Sequence, residues 1–145
     1  MACGEDELIN EEEEIFKKEF LMLVNKLRAN GCDCGSSTMP PVDAVAWNDQ
    51  LQKAAQAHSD DMFANNHFDH KGTNGSNPGD RIKNAGYNWS TYGENIANGY
   101  PDPEAVFNGW KNSPGHCKNM MSSKFKDLGV AQNGSYWTMI LGLQK

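Results

Sequence analysis

Apolar residues along the 145-residue chain follow a helical spacing over the first two-thirds and a strand-like spacing near the end. Phe16, Phe20, Leu23, Val24 and Leu27 recur at helical intervals and predict a helix with one buried stripe, running to about Ala29 and ended by Asn30-Gly31. Leu51, Ala54, Ala55, His58 and Met62 share one face of a second helix. Trp47-Asn48-Asp49 opens it, with Asn48 as cap and Trp47 as a hydrophobic staple. Asp80 to Ala85 reads as a short helix stopped by Gly86. Asp102-Pro103-Glu104 supplies a cap, a proline at the first helical position and an acid near the helix dipole, and Val106, Phe107 and Trp110 give that helix its buried side. Ser113-Pro114 breaks it and starts another short helix, with Ser113 as its expected cap.

Leu128-Gly129-Val130-Ala131 and the run Tyr136 to Leu141 read as paired strands, with Asn133-Gly134 as the hairpin turn between them. Cys32 to Val42 and Gly72 to Gly79 are rich in turn residues, and the aromatic stretch Tyr87 to Tyr92 is loop-like. Gly93-Glu94-Asn95-Ile96-Ala97 reads as a turn leading into a short extended piece. Helices first and strands last predict an α+β fold in which helices cover an antiparallel sheet. The acidic residues 1–14 are expected to form a flexible N-terminal segment ahead of a single domain, 15–145.

Charge and cysteine content narrow the function classes. A net charge of −6 argues against nucleic acid or an anionic membrane as partner. No stretch is apolar for long enough to span a bilayer, and no signal peptide is visible. Met1-Ala2-Cys3 before an acidic run reads as a start just ahead of a lipoprotein cysteine, which makes Cys3 a candidate lipid anchor. Cys32-Asp33-Cys34 is one residue short of the zinc C-x-x-C spacing and has no second pair to complete it. A disulfide from Cys32 or Cys34 to Cys117 fits better and implies an oxidising compartment.

Candidate chemistry gathers on His70, Glu94 and His116, each beside glycines or loop residues, where binding groups concentrate on a rigid scaffold. Two imidazoles and a carboxylate can ligate a divalent ion such as zinc with a fourth position open, or act as a general base with an orienting acid. His58, His67 and Asp69 stand behind them, and His58, on its apolar stripe, reads as a buried structural histidine. Ser113 lies near His116, but helix capping explains it, and no Gly-x-Ser-x-Gly elbow occurs. No phosphate-binding glycine motif supports a nucleotide site.

Five blocks in order carry a resemblance: Ala57-His58-Ser59-Asp60-Asp61-Met62, Phe68-Asp69-His70, Gly86-Tyr87, Gly93-Glu94-Asn95-Ile96-Ala97 and Trp110-Lys111-Asn112-Ser113-Pro114-Gly115-His116. Together they resemble the CAP superfamily of cysteine-rich secretory, antigen and pathogenesis-related proteins, in its bacterial secreted branch, from about Phe20 to the C-terminus. The resemblance implies a three-layer α-β-α sandwich with a central cleft of two histidines and two acids. By motif the histidines are His70 and His116, the first acid is Glu94, and the second falls at Ser113, so one carboxylate of the tetrad is missing. It further implies an extracellular or envelope-associated domain that binds a ligand, metal-assisted or lipid-like, through His70, Glu94, Ser113 and His116. The chain is expected to be a monomer. The expected partners are a small molecule, a lipid or a cell-envelope component. A metal-dependent hydrolase using Glu94 and His116 is the first alternative. A protein-interaction domain with a vestigial cleft is the second.

Overall fold

The computed structural model describes residues 3–145, with side chains from Asn10 onward. The side chain of Cys3, and with it the expected lipid anchor, lies outside the described residues. The elements in chain order are α1 (Cys3–Asn30), β1 (Cys32–Cys34), β2 (Ser37–Met39), β3 (Ala46–Trp47), α2 (Asp49–Asn65), α3 (Pro78–Asn84), β4 (Trp89–Asn98), α4 (Pro103–Lys111), α5 (Pro114–Met121), β5 (Asp127–Asn133) and β6 (Tyr136–Gln144).

β5 and β6 form the expected hairpin, and β4 adds to the other side of β6, all antiparallel. Two residues of β3 pair parallel with β5, so the sheet order is β3-β5-β6-β4 and the antiparallel sheet carries one short parallel edge. β6 is buried almost from end to end because both faces of the sheet are covered. Leu128, Val130, Met139 and Leu141 point to one face and meet Phe20, Val24 and Leu27 of α1, Val106 and Trp110 of α4, and Met120 of α5. Ala131 and Ile140 point to the other and meet Leu51, Ala54 and Ala55 of α2 and Ile82 of α3. Period-two alternation thus splits the core in two and gives the α-β-α layering. At Gly129 any side chain would run into the backbone at Leu51 and Gln52, so this glycine lets α2 lie directly on β5.

Several boundaries depart from the sequence expectation. Gly93-Glu94 is not a turn; it lies inside the ten-residue strand β4, which begins at Trp89 within the stretch read as a loop. The turn between β5 and β6 is Gly134-Ser135, one residue later than expected, with Gly134 at φ +57° and Asn133 still paired to Tyr136. The region after α1, read as a loop, holds the small hairpin β1-β2.

Arg28, which the sequence did not single out, is fully buried at the end of α1. Its guanidinium donates to the carbonyls of Asp43, Met120, Ser122 and Phe125 at 2.7–3.1 Å. It therefore pins α1 to the exit of α5 and the approach to β5. No helix among the described residues is long and apolar enough to cross a membrane.

Candidate functional site

β4 is the antiparallel edge strand of the sheet, opposite β3, and its alternation places the site. Glu94 projects toward the α2-α3 layer, and Asn95 toward the α4-α5 layer. A buried carboxylate needs partners, and Glu94, with its side chain 2% exposed, has two. Its Oε1 accepts from Nδ1 of His70 at 2.7 Å, and its Oε2 accepts from Nη2 of Arg81 at 3.0 Å.

His70 sits in a connection held at three successive carbonyls. His58 Nε2 donates to the carbonyl of Asp69 at 2.7 Å, Arg81 Nη2 to that of His70 at 2.8 Å, and His67 Nε2 to that of Lys71 at 2.6 Å. A carbonyl only accepts, so each of these imidazoles carries its proton on Nε2. His58 and His67, the reserve candidates, thus fasten the backbone that presents His70. Asp69, the third reserve candidate, caps the backbone N–H of Lys71. The expectation of a buried structural His58 holds: the residue is fully buried.

On the other side of β4, Asn95 donates to the carbonyl of His116 at 3.2 Å and accepts from Asn119 at 2.9 Å. Ser113 occupies the N-cap position of α5, but its side chain makes no cap hydrogen bond, contrary to expectation. Its Oγ lies 2.8 Å from Nδ1 of His116 instead. Ser113, the position at which the resemblance puts a second acid, is thus the hydrogen-bond partner of the His116 imidazole. Nε2 of His70 and Nε2 of His116 have no hydrogen bond among the described residues. Ser113 and His116 border an open groove of about 340 Å³, walled also by Phe68, Ile96, Tyr100 and Trp110, with His70 and Glu94 outside its walls.

The geometry does not bring His70, Glu94 and His116 into one compact ligand set. Among the described residues, the His, Cys, Asp and Glu side chains whose ligand atoms lie within 4.8 Å of one another in a group of three are Cys32, Cys34 and Cys117. Two of these are joined: Cys34 bonds Cys117, one of the two pairings left open by the sequence, with Cys32 as a thiol beside them. Arg81 and Asn95 are the site residues that sequence reasoning missed. The available signal was physical: a buried glutamate requires a cation, and α3 carries arginine at its centre.

Electrostatics separate the histidines. The Glu94 hydrogen bond raises the His70 pKa above its ordinary value against the opposing effect of burial. Burial, and then the charge of His70, lower that of His116. Burial also lowers His58, with Glu94 opposing. Histidine NMR titration should therefore find His70 titrating above the ordinary histidine range and His58 and His116 below it. The stability effects have opposite signs. The His70 contribution is present below the unfolded value near 6.5 and is lost as pH rises through the raised folded value. The His58 contribution is lost as pH falls from near 6.5 through the depressed value, because the unfolded chain then binds the proton first. Coincident titration of the three would contradict this arrangement.

The description of the cysteine-rich secretory protein family, CAP, matches residues 21–139. An uncharacterized Bacillus subtilis (strain 168) protein, YkwD, is 42% identical over 93 residues, which are 63% of this chain and 36% of that protein. An uncharacterized membrane protein of the same organism, YlbC, is 36% identical over 94 residues, 65% of this chain and 27% of that protein. The chain thus spans well under half the length of the curated relatives it matches. An extracellular SCP-domain protein from Bacillus anthracis superposes with a TM-score of 0.79 at 30% identity, covering 91% of this chain and 41% of that one. An outer surface protein of Borrelia burgdorferi shares the fold, with a TM-score of 0.71 at 21% identity over 93% of this chain and 94% of that one.

Proposed function

The chain belongs to the cysteine-rich secretory protein family, CAP, and we propose on that premise that it is an extracellular or envelope-associated domain that binds a ligand between His70 and His116. The extracellular placement is supported by the Bacillus anthracis relative. One observation carries the site reading: both imidazoles have Nδ1 engaged, by Glu94 and by Ser113, while Nε2 of each stays without a partner among the described residues. Tying down one ring nitrogen by an outer partner is how proteins aim the other at a metal ion.

The donor chemistry, two imidazoles each with Nε2 without a partner among the described residues, suits a weakly held divalent ion such as zinc, to which His70 and His116 would supply nitrogen ligands and water or the bound molecule the rest of the shell. Such an ion would act as a Lewis acid toward an oxygen of the ligand. Glu94 serves as an outer partner and not as a ligand, because both of its oxygens are occupied and it is buried. The same occupancy weighs against Glu94 as a general base, and so against the hydrolase alternative. The aromatic walls at Phe68, Tyr100 and Trp110 suit an apolar portion of a small molecule, a lipid or a cell-envelope component.

Calorimetric titration with Zn²⁺ tests the proposal. Binding is expected in the native protein, lost in His70→Ala and in His116→Ala, and weakened by about 10-fold or more in Glu94→Gln. Undiminished binding in the two histidine variants would move the metal elsewhere and end this reading.

A further inference from the structure

We propose that Cys32, Cys34 and Cys117 form a thiol–disulfide exchange site, in which the Cys32 thiol displaces Cys34 from its bridge to Cys117. The three sulfurs form one cluster. Cys32 Sγ lies 3.7 Å from Cys117 Sγ and 4.0 Å from Cys34 Sγ. The cause is strand geometry: residues two apart in β1 face the same way, so both cysteines of Cys32-Asp33-Cys34 present sulfur to the same point of α5. β1 therefore offers Cys117 two partners.

The step balances without any outside oxidant. Cys32 loses its proton, and its sulfur attacks Cys117 Sγ as the Cys34–Cys117 bond breaks. Cys34 leaves as a thiolate and takes up the proton. One disulfide and one thiol are present before and after. Cys117 is bonded in both isomers, so α5 stays tied to β1 and only the attachment point moves, by two residues. Attack on Cys117 is favoured over attack on Cys34 because a Cys32–Cys34 bridge would have to close on neighbouring positions of one strand. The thiol lies beside the bridge, at 3.7 and 4.0 Å from its two sulfurs, and reacts by swinging toward the line of the Cys34–Cys117 bond.

Exposure gives the exchange a consequence. Cys34 and Cys117 are 1% and 0% exposed, out of reach of an external thiol, whereas Cys32 is half-buried at a pocket between α1 and α4 lined also by Lys26, Phe107 and Lys111. Exchange hides a reachable thiol in the core, and the reverse step presents it again. Burial raises the Cys32 thiol pKa, with Lys111 opposing and Asp33 adding to the rise. A small thiolate fraction makes the exchange slow.

Disulfide mapping decides the matter. Native oxidised protein is held at pH 8, quenched in acid, alkylated in denaturant and cleaved before aspartate, which separates Cys32 from Cys34 at Asp33. The expected result is a Cys32–Cys117 peptide beside the Cys34–Cys117 peptide, at roughly 1% of it or more, absent in Cys32→Ser. Cys34→Ser, where it folds, should carry a Cys32–Cys117 bridge. Only Cys34–Cys117 in the native protein after prolonged incubation would overturn the proposal, whatever the Cys34→Ser variant does. So would a folded, oxidised Cys34→Ser with Cys32 and Cys117 both free.

Discussion

Glu94→Ala should lower the unfolding free energy by about 3–5 kcal/mol, the usual cost of stripping one partner from a buried ion pair. Arg81 is 8% exposed and Glu94 7%, so the guanidinium left behind cannot recover its hydration without local unfolding. The loss also travels. Arg81 Nη2 holds the carbonyl of His70 as well as Glu94, and His70 loses the acceptor on its Nδ1. The raised pKa of His70 should fall toward the ordinary histidine value in the same variant. Denaturant unfolding at pH 7 with an unchanged m-value reads the first effect, and NMR titration reads the second. A loss under about 1 kcal/mol would show that the pair is solvated and behaves as a surface salt bridge.

Arg28→Ala is expected to cost a similar amount, roughly 3–5 kcal/mol, for a different reason. Among the described residues the side chain has no carboxylate partner at hydrogen-bond distance and instead satisfies four carbonyls from two stretches far apart in sequence, Asp43 and the segment Met120 to Phe125. Removing it leaves buried acceptors unpaired, most plainly those of Met120 and Phe125, and each unsatisfied group costs about 1–3 kcal/mol. Arg28→Lys should recover little, since a single ammonium cannot span the fork that the guanidinium fills. Thermal and denaturant unfolding of both variants checks this. A lysine variant as stable as the native protein would mean that charge, and not the planar donor set, does the holding.

The helices were legible because their apolar stripes repeat at the right interval and their caps are local. Asn48 caps α2 as expected, accepting from Gln50 and Leu51, and Asp102 caps α4, accepting from Ala105. β4 was not legible for a reason that bears on function. Its centre is Gly93-Glu94-Asn95, three residues of poor strand propensity that only pairing with β6 keeps extended. The polar pair there is buried because it builds the site, so the residues that made the strand hard to see are those that give it a role. Ser113 failed in a related way: the N-cap position was right, but the hydroxyl went to His116, a competition that local sequence does not settle. The bridge to Cys117 was undecidable from spacing because strand periodicity makes Cys32 and Cys34 equivalent in direction.

Motif order singled out His70, Glu94 and His116, yet it did not show what holds each imidazole: Glu94 for His70 and Ser113 for His116. Grips on the carbonyls of Asp69, His70 and Lys71 come from three residues, two of which had been weighed as candidate chemistry themselves. A histidine that fastens backbone and one that faces a ligand look alike in sequence. They differ only in which nitrogen is left over.

That leftover nitrogen is the most direct test of the account. Long-range ¹H–¹⁵N NMR of the imidazoles, recorded above the titration of His70, should find its proton on Nδ1 and a bare Nε2. Added Zn²⁺ should then shift Nε2 of His70 and of His116 together, with His58 and His67 unmoved. A proton on Nε2 of His70, or Zn²⁺ leaving both nitrogens where they were, would contradict it.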